Sequence, residues 1–515
     1  MSDASDKPED TARAAGRGGL AVAGAKIYFI LIGFVQQTLL TRVLGTDGYG
    51  TFSRAQAWFN VADNVVITSS IQGASRTVAE AKPEEQPGAQ RGTLEIHALL
   101  ALPVAGAFFF LAPLGAAALG APHIAPHLRI ASLIVLGYAL YTPFVGTLNG
   151  RRRFGAQAVL DVTYATLRTV AMLGGAWLWK REGAGPLGTV SGFALAALTI
   201  VPFAAVVAGV GKRGPGGPKL SAYLSLIAPL ALGQLFFNVL LQSDITLLGY
   251  FASGTAANAG LAGAEAIAAA DRSVGIYKAC QLFAFLPYQL LVSVTFILFP
   301  LLAKAHAGGD AQAVKTYVRM GMRLALVLTG AMVAVLVGLA PGLLGLVFPR
   351  EIAEAGATTL RVLAVGQGAF ALFAIASTVL TSLHREVWTL ALNVLATVFV
   401  VGAAFVFVPG SPLGGPIATR AAMATSTALF AALVVAGALV VRFAGALLPA
   451  LAVVRVLVAL VAAAALPLWL GPSGKLATVA LAAVVGALYL GVLVATGELG
   501  KADLSLVRRV LGKRR

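Results

Sequence analysis

KIYFILIGFVQQTLLTRVLGTDGYGTFSRAQAWFNVADNVV, residues 26–66, decides the fold. It is an apolar run, a tight glycine turn (GTDGYG, 45–50) and a second apolar run with a polar stripe. In the first run Lys26, Gly33 and Gln37 share one helical face. In the second, Gln56, Asn60, Asp63 and Asn64 follow at spacings of four, three and one, which puts them on one side of a helix. Asp63 falls near the middle of a segment long enough to cross a bilayer. A carboxylate there costs at least about 2–3 kcal/mol, so it must face a watery cavity or a partner. Two readings stand: a polar clamp between packed helices, or the wall of a hydrated pathway.

The rest of the chain has the same character. Of 515 residues 58% are hydrophobic and 11% charged, and the mean hydropathy is +0.86. Apolar runs of about 20 residues recur from end to end, each long enough to span a bilayer as a helix. Barrel strands would instead alternate over about ten residues. The fold class is therefore an all-α polytopic membrane protein. The net charge of +17 sits mostly between the runs, where it sets topology and meets anionic headgroups; no nucleic-acid partner is implied. A single cysteine, Cys280, excludes an internal disulfide. The five histidines form no metal-ligand pattern, and no Walker A motif appears. With no nucleophile–base pair either, an enzyme reading has little support, and no cofactor is expected beyond a coupling H+ or Na+.

Length and apolarity give about fourteen spans, at 19–41, 51–72, 93–118, 126–148, 157–179, 187–210, 222–250, 273–302, 318–340, 357–382, 387–408, 416–441, 450–470 and 476–496. Alternate connections hold nearly all the basic residues, among them Arg76, Arg91, the run Arg151, Arg152 and Arg153, and Lys212, Arg213 and Lys219. The opposite set holds Arg42, Lys180, Arg181, Arg350, Lys475 and little else. The positive-inside rule then places both termini in the cytoplasm, which an even number of spans satisfies. The expected organisation is a disordered N-terminus (1–18), an N-terminal six-helix bundle (19–211), a C-terminal six-helix bundle (220–442), an extra helix pair (450–496) and a basic amphipathic tail (497–515). The glycines and prolines of GKRGPGGPK, 211–219, mark the linker between the bundles. Paired bundles of this kind commonly surround a transport site near the bilayer midplane.

Intramembrane charges concentrate in spans one, two, five, seven and eight. Lys26 either snorkels to the interface or faces a cavity. Asp161 and Arg168, seven apart, lie on one face of span five. They either bridge through water or Tyr164, or form an anion site. Gln234, Asn238 and Gln242 make a ladder in span seven beside Asp244, and Lys278 points inward from span eight. Arg361, Arg420 and Arg455 read as snorkelling residues. Arginine and lysine suit a phosphate or pyrophosphate, and carboxylates suit ion coupling. The cavity candidates are Lys26, Gln37, Gln56, Asn60, Arg168, Asn238 and Lys278. The coupling candidates are Asp63, Asp161 and Asp244.

Several stretches, in order along the chain, resemble bacterial polysaccharide exporters of the lipid-linked oligosaccharide flippase type. They are LLTRVLGTDGYGTFSRAQAWFNVADNVV (39–66), LNGRRRFGAQAVLDV (148–162), DITLLGYF (244–251), VGIYKACQLFAFLPYQLLVSVTFILFPLLAK (274–304), and two late segments within 380–426. The resemblance implies the multidrug/oligosaccharidyl-lipid/polysaccharide exporter fold: two six-helix bundles in a V, alternating access, and two extra C-terminal helices forming a lipid-facing groove. It matches Asp244 and Tyr277 to family positions directly. The lipid II branch carries arginines where this chain has Gln36 and Gln37. That favours an O-antigen or exopolysaccharide unit as substrate, with membrane lipids around it and a polysaccharide polymerase as partner. The alternatives implied are a cation-coupled multidrug exporter and a lipid II flippase.

Overall fold

The computed structural model describes residues 8–471 and 474–500, with side chains omitted for 8–23, 293, 296 and 297. Residues 1–7 of the expected N-terminal segment and 501–515 of the expected basic tail lie outside the described residues. Among those described there is no strand. The fifteen α-helices are α1 (Pro8–Glu80), α2 (Gln86–Ala118), α3 (Ala125–Gly150), α4 (Phe154–Leu178), α5 (Gly185–Ala208), α6 (Leu220–Asn258), α7 (Gly263–Ala284), α8 (Leu286–Ala307), α9 (Ala311–Gly338), α10 (Ala340–Val347), α11 (Arg350–Ser382), α12 (Glu386–Phe407), α13 (Gly415–Ala444), α14 (Ala450–Leu470) and α15 (Lys475–Ala495). Eleven helices in the described residues are long and apolar enough to cross a membrane. That number differs from the expected fourteen because α1 counts once, and because α4 and the expected span 273–302, which divides into α7 and α8, are not among the eleven. α1 is two helices meeting at Gly45, whose φ of 77° and ψ of 175° break the helical run. A positive φ is cheap only for glycine, so the turn expected at 45–50 falls where the sequence allows it.

The chain forms two compact units, residues 1–254 with 261–275, and residues 255–260 with 276–515. In the first, α1 packs on α3 and α4, α3 on α2 and α5, and α4 on α5. Lipid is as apolar as leucine, so close backbone approach drives this packing more than hydrophobicity does. The α4–α5 seam shows it. A methyl group at Gly175 would meet the Gly188 carbonyl oxygen at 2.1 Å, and one at Gly192 the Ala171 carbonyl oxygen at 2.0 Å. In the second unit α11 packs on α13, α9 and α8, and α12 on α13. The helix pair α14–α15 shares a core with α9 built on Ala334, Val456, Ala463, Val485 and Tyr489. The Tyr489 hydroxyl donates to the Val327 carbonyl at 2.9 Å.

The 211–219 segment lies within the first unit and is strapped to α2. The Lys212 amide donates to the Pro87 carbonyl at 3.2 Å, and Arg213 pairs with Glu95 at 3.1 Å. Gly88 and Gly92 have no side chain because Pro215, Gly217 and Pro218 fill that space. Gln90 closes the end of α5 by donating to the Gly209 carbonyl at 2.7 Å.

Candidate functional site

The interior of the first unit holds the charges that the polar stripe announces. Asp63 of α1 is 3% exposed, and neither carboxylate oxygen has a hydrogen-bond partner. Arg168 of α4 is close enough for its charge to act on Asp63. The guanidinium lies over the Phe29 ring at 4.7 Å and faces Phe193 at 5.6 Å. Tyr138 and Tyr141 of α3 stand against Tyr164 of α4, at ring-centre distances of 5.7 and 5.4 Å. The result is a cation and a carboxylate walled by aromatic rings, where each interacts more strongly than it would in water.

The same geometry sorts the other candidates. Lys26 is exposed and acts electrostatically on Asp161, which in turn acts on Tyr141. Gln36 is buried and accepts from Thr169 Oγ1 at 3.1 Å. Gln37 is half-buried with its side-chain oxygen unpartnered. Gln56 is buried and Asn60 half-buried. On α6, Asn238 donates to the Gln234 carbonyl at 2.8 Å, and Asp244 accepts from the next amide, Ile245, at 2.7 Å. Lys278, in the second unit, donates to Gln281 Oε1 at 3.0 Å. Nearby the hydroxyls of Tyr277 and Thr425 lie 3.4 Å apart. Lys26, Asp63, Asp161 and Arg168 thus come together in the first unit around the three tyrosines.

Sequence reasoning missed a second charged centre. Arg54 Nη1 pairs with Asp271 Oδ1 at 2.8 Å, the side chains 4% and 0% exposed. Asp271 also accepts from Thr51 at 2.5 Å and lies 3.0 Å from His123 Nε2. Arg54 further donates to Ser253 Oγ at 3.0 Å. α7 meets α1 here so closely that a methyl at Gly275 would lie 2.1 Å from the Thr46 carbonyl oxygen. The signal was present: an arginine about two turns beyond the Gly45 bend, and an aspartate opening span eight. Arg455 departs from the snorkelling reading. It reaches Glu498 Oε2 at 3.3 Å, and Glu498, 4% exposed, also pairs with Arg323 at 2.7 Å. Among the described residues no cluster of potential metal ligands occurs.

The sequence model of the family described as polysaccharide biosynthesis protein matches residues 15–306. The chain belongs to that family. No curated protein sequence matches it. Among solved structures, this polysaccharide biosynthesis protein is similar to a lipid II flippase MurJ in an inward closed conformation, with a TM-score of 0.72, 13% identity, and 92% of this chain and 98% of that one covered. An inward-facing multidrug resistance MATE family transporter of the MOP superfamily gives 0.62 at 16% identity, covering 79% and 92%. A MOP superfamily transporter from Pyrococcus furiosus, described as having a binding pocket of reverse polarity, gives 0.54 at 16% identity, covering 82% and 93%. The fold is therefore the one shared by the MurJ flippase and MATE transporter structures.

Proposed function

We propose that the protein is a flippase carrying a lipid-linked oligosaccharide, a polyprenyl-pyrophosphate repeat unit of O-antigen or exopolysaccharide type, from the inner to the outer leaflet of the bacterial cytoplasmic membrane. The observation that carries this reading is Arg168 with Asp63, enclosed by tyrosines inside the first unit of a polysaccharide biosynthesis protein. The physics fits such a cargo. A polyprenyl tail cannot leave the bilayer, because each exposed CH₂ costs about 0.8 kcal/mol. A charged sugar head cannot cross hydrocarbon unescorted. Arg168 and Lys26 offer cations to the phosphates, and aromatic faces suit sugar rings. Asp63 or Asp244 couples an H+ or Na+ to alternating access. The membrane potential adds about 2.3 kcal/mol per charge per 100 mV. A polysaccharide polymerase would take the product on the outer face.

Arg168→Ala is the test. It should abolish surface polymer at unchanged protein level, with partial recovery in Arg168→Lys; normal polymer in Arg168→Ala would defeat the assignment. A second reading, a cation-coupled exporter of small molecules, is favoured by the unpartnered carboxylate of Asp63. It predicts that deletion sensitises cells to cationic compounds and leaves polymer intact.

A further inference from the structure

A cleft of about 600 Å³ opens between α1 and α6, at the ends that carry the basic connections. One wall is a single face of α1: Ile71, Gln72, Ser75, Arg76 and Ala79. The other is a face of α6: Ser225, Leu226, Pro229 and Leu230. Asn149, at the end of α3, completes the lining. The two helices touch at the floor, where a methyl on Gly73 would meet Ile227 at 2.5 Å. The cleft has polar groups from Gln72, Ser75, Arg76, Asn149 and Ser225, and apolar ones from Ile71, Leu226, Pro229 and Leu230. It lies outside the aromatic-walled charge pair and shares no residue with it.

Asn149 is followed, after Gly150, by Arg151, Arg152 and Arg153. None of the three has an ion-pair or hydrogen-bond partner for its side chain among the described residues. Arg152 takes a left-handed backbone, φ 56°, which is costly for a residue with a side chain. Partial burial and the like charge of Arg153 lower the pKa of Arg151 from its usual value. The turn is thus a crowded set of cations without counter-charge. Arg76 adds a fourth, held only by an exposed pair with Glu80 that water and salt readily exchange. The α4 amino end, with Arg153 at its cap, adds further positive potential.

We infer that this cleft is a binding site for an acidic inner-leaflet phospholipid. The phosphodiester head lies against Arg76 and the 151–153 turn. The head's hydroxyls meet Ser75, Asn149 and Ser225, and the first acyl segments run along Leu226, Pro229 and Leu230. Complementary charge selects the acidic head, and the apolar wall selects a lipid over a soluble anion.

Full-length protein extracted with phosphatidylglycerol and phosphatidylcholine at equal amounts, and analysed by native mass spectrometry, tests this. Wild type should retain phosphatidylglycerol in preference. Arg151→Gln and Arg153→Gln should each lower that preference about five-fold. Leu226→Trp, which fills the cleft and leaves every charge in place, should remove the retained lipid. Equal retention of both lipids by wild type, or undiminished preference in the arginine variants and in Leu226→Trp, overturns the proposal. So does displacement of phosphatidylglycerol by an equimolar polyprenyl phosphate, which would make the cleft a carrier site.

Discussion

At the scale of single residues, the two buried charge centres respond differently to substitution. Arg54 and Asp271 pair directly and are almost fully enclosed. Removing one partner strands the other charge, so Asp271→Ala should cost about 3–5 kcal/mol. It should show as a lower melting temperature in detergent. Arg54→Met with Asp271→Leu should recover most of that loss, because an apolar pair of similar volume often replaces a buried ion pair at little cost. Asp63 and Arg168 should behave as a functional unit instead. Asp63→Asn preserves shape and should lower export with little change in melting temperature. The loss in Asp63→Asn with Arg168→Gln should be smaller than the sum of the single losses, measured as ΔΔG in an export assay. Asp63 was readable in the sequence because a carboxylate in the middle of an apolar run must face either a partner or water. Arg54 and His123 were not. Their meaning depends on Asp271, more than two hundred residues away from Arg54, and no local spacing encodes that pairing.

At the scale of elements, hydropathy found the apolar helices and missed what holds them together. The long runs specify α2, α5, α9 and α11 to α15 almost directly. α4 and α7 are harder because polar residues interrupt them, and those residues are the ones that serve the interior. The α4–α5 seam leaves no room for side chains at Gly188 and Gly192. Gly188→Leu should separate the helices, cost at least about 1–3 kcal/mol, and disturb Arg168 on the facing helix α4. Loss of both melting temperature and export would show it; a wild-type melting temperature would mean that the seam yields. Arg455 illustrates the limit of reasoning from position alone. Near a helix start, snorkelling is the natural expectation, but Glu498 beyond α15 gives it a buried partner. That contact ties α14 and α15 to α9 through Arg323.

For the whole molecule, composition already fixed a polytopic all-helical membrane protein; the family match makes it a polysaccharide biosynthesis protein, and its fold is the one seen in the MurJ and MATE structures. What composition could not give is which residues form each compact unit. α7 begins in the first unit although it follows α6 and its loop. A fragment ending at residue 258 should therefore be protease-sensitive in membranes, because Arg54 loses Asp271. A fragment ending at residue 284 should resist better. Equal sensitivity of the two would show that the first unit does not depend on α7.

The strap at 211–219 bears on how the chain would be cut in its native membrane. Its lysines, arginine, glycines and prolines make it the obvious place for trypsin to nick, with the charge of Arg213 reaching into water. A protease needs several residues of freely extended chain, and here that length is anchored to α2 at both backbone and side chain. Cleavage there must wait until the strap peels away, so the rate of digestion would report how often the first unit loosens at its basic edge.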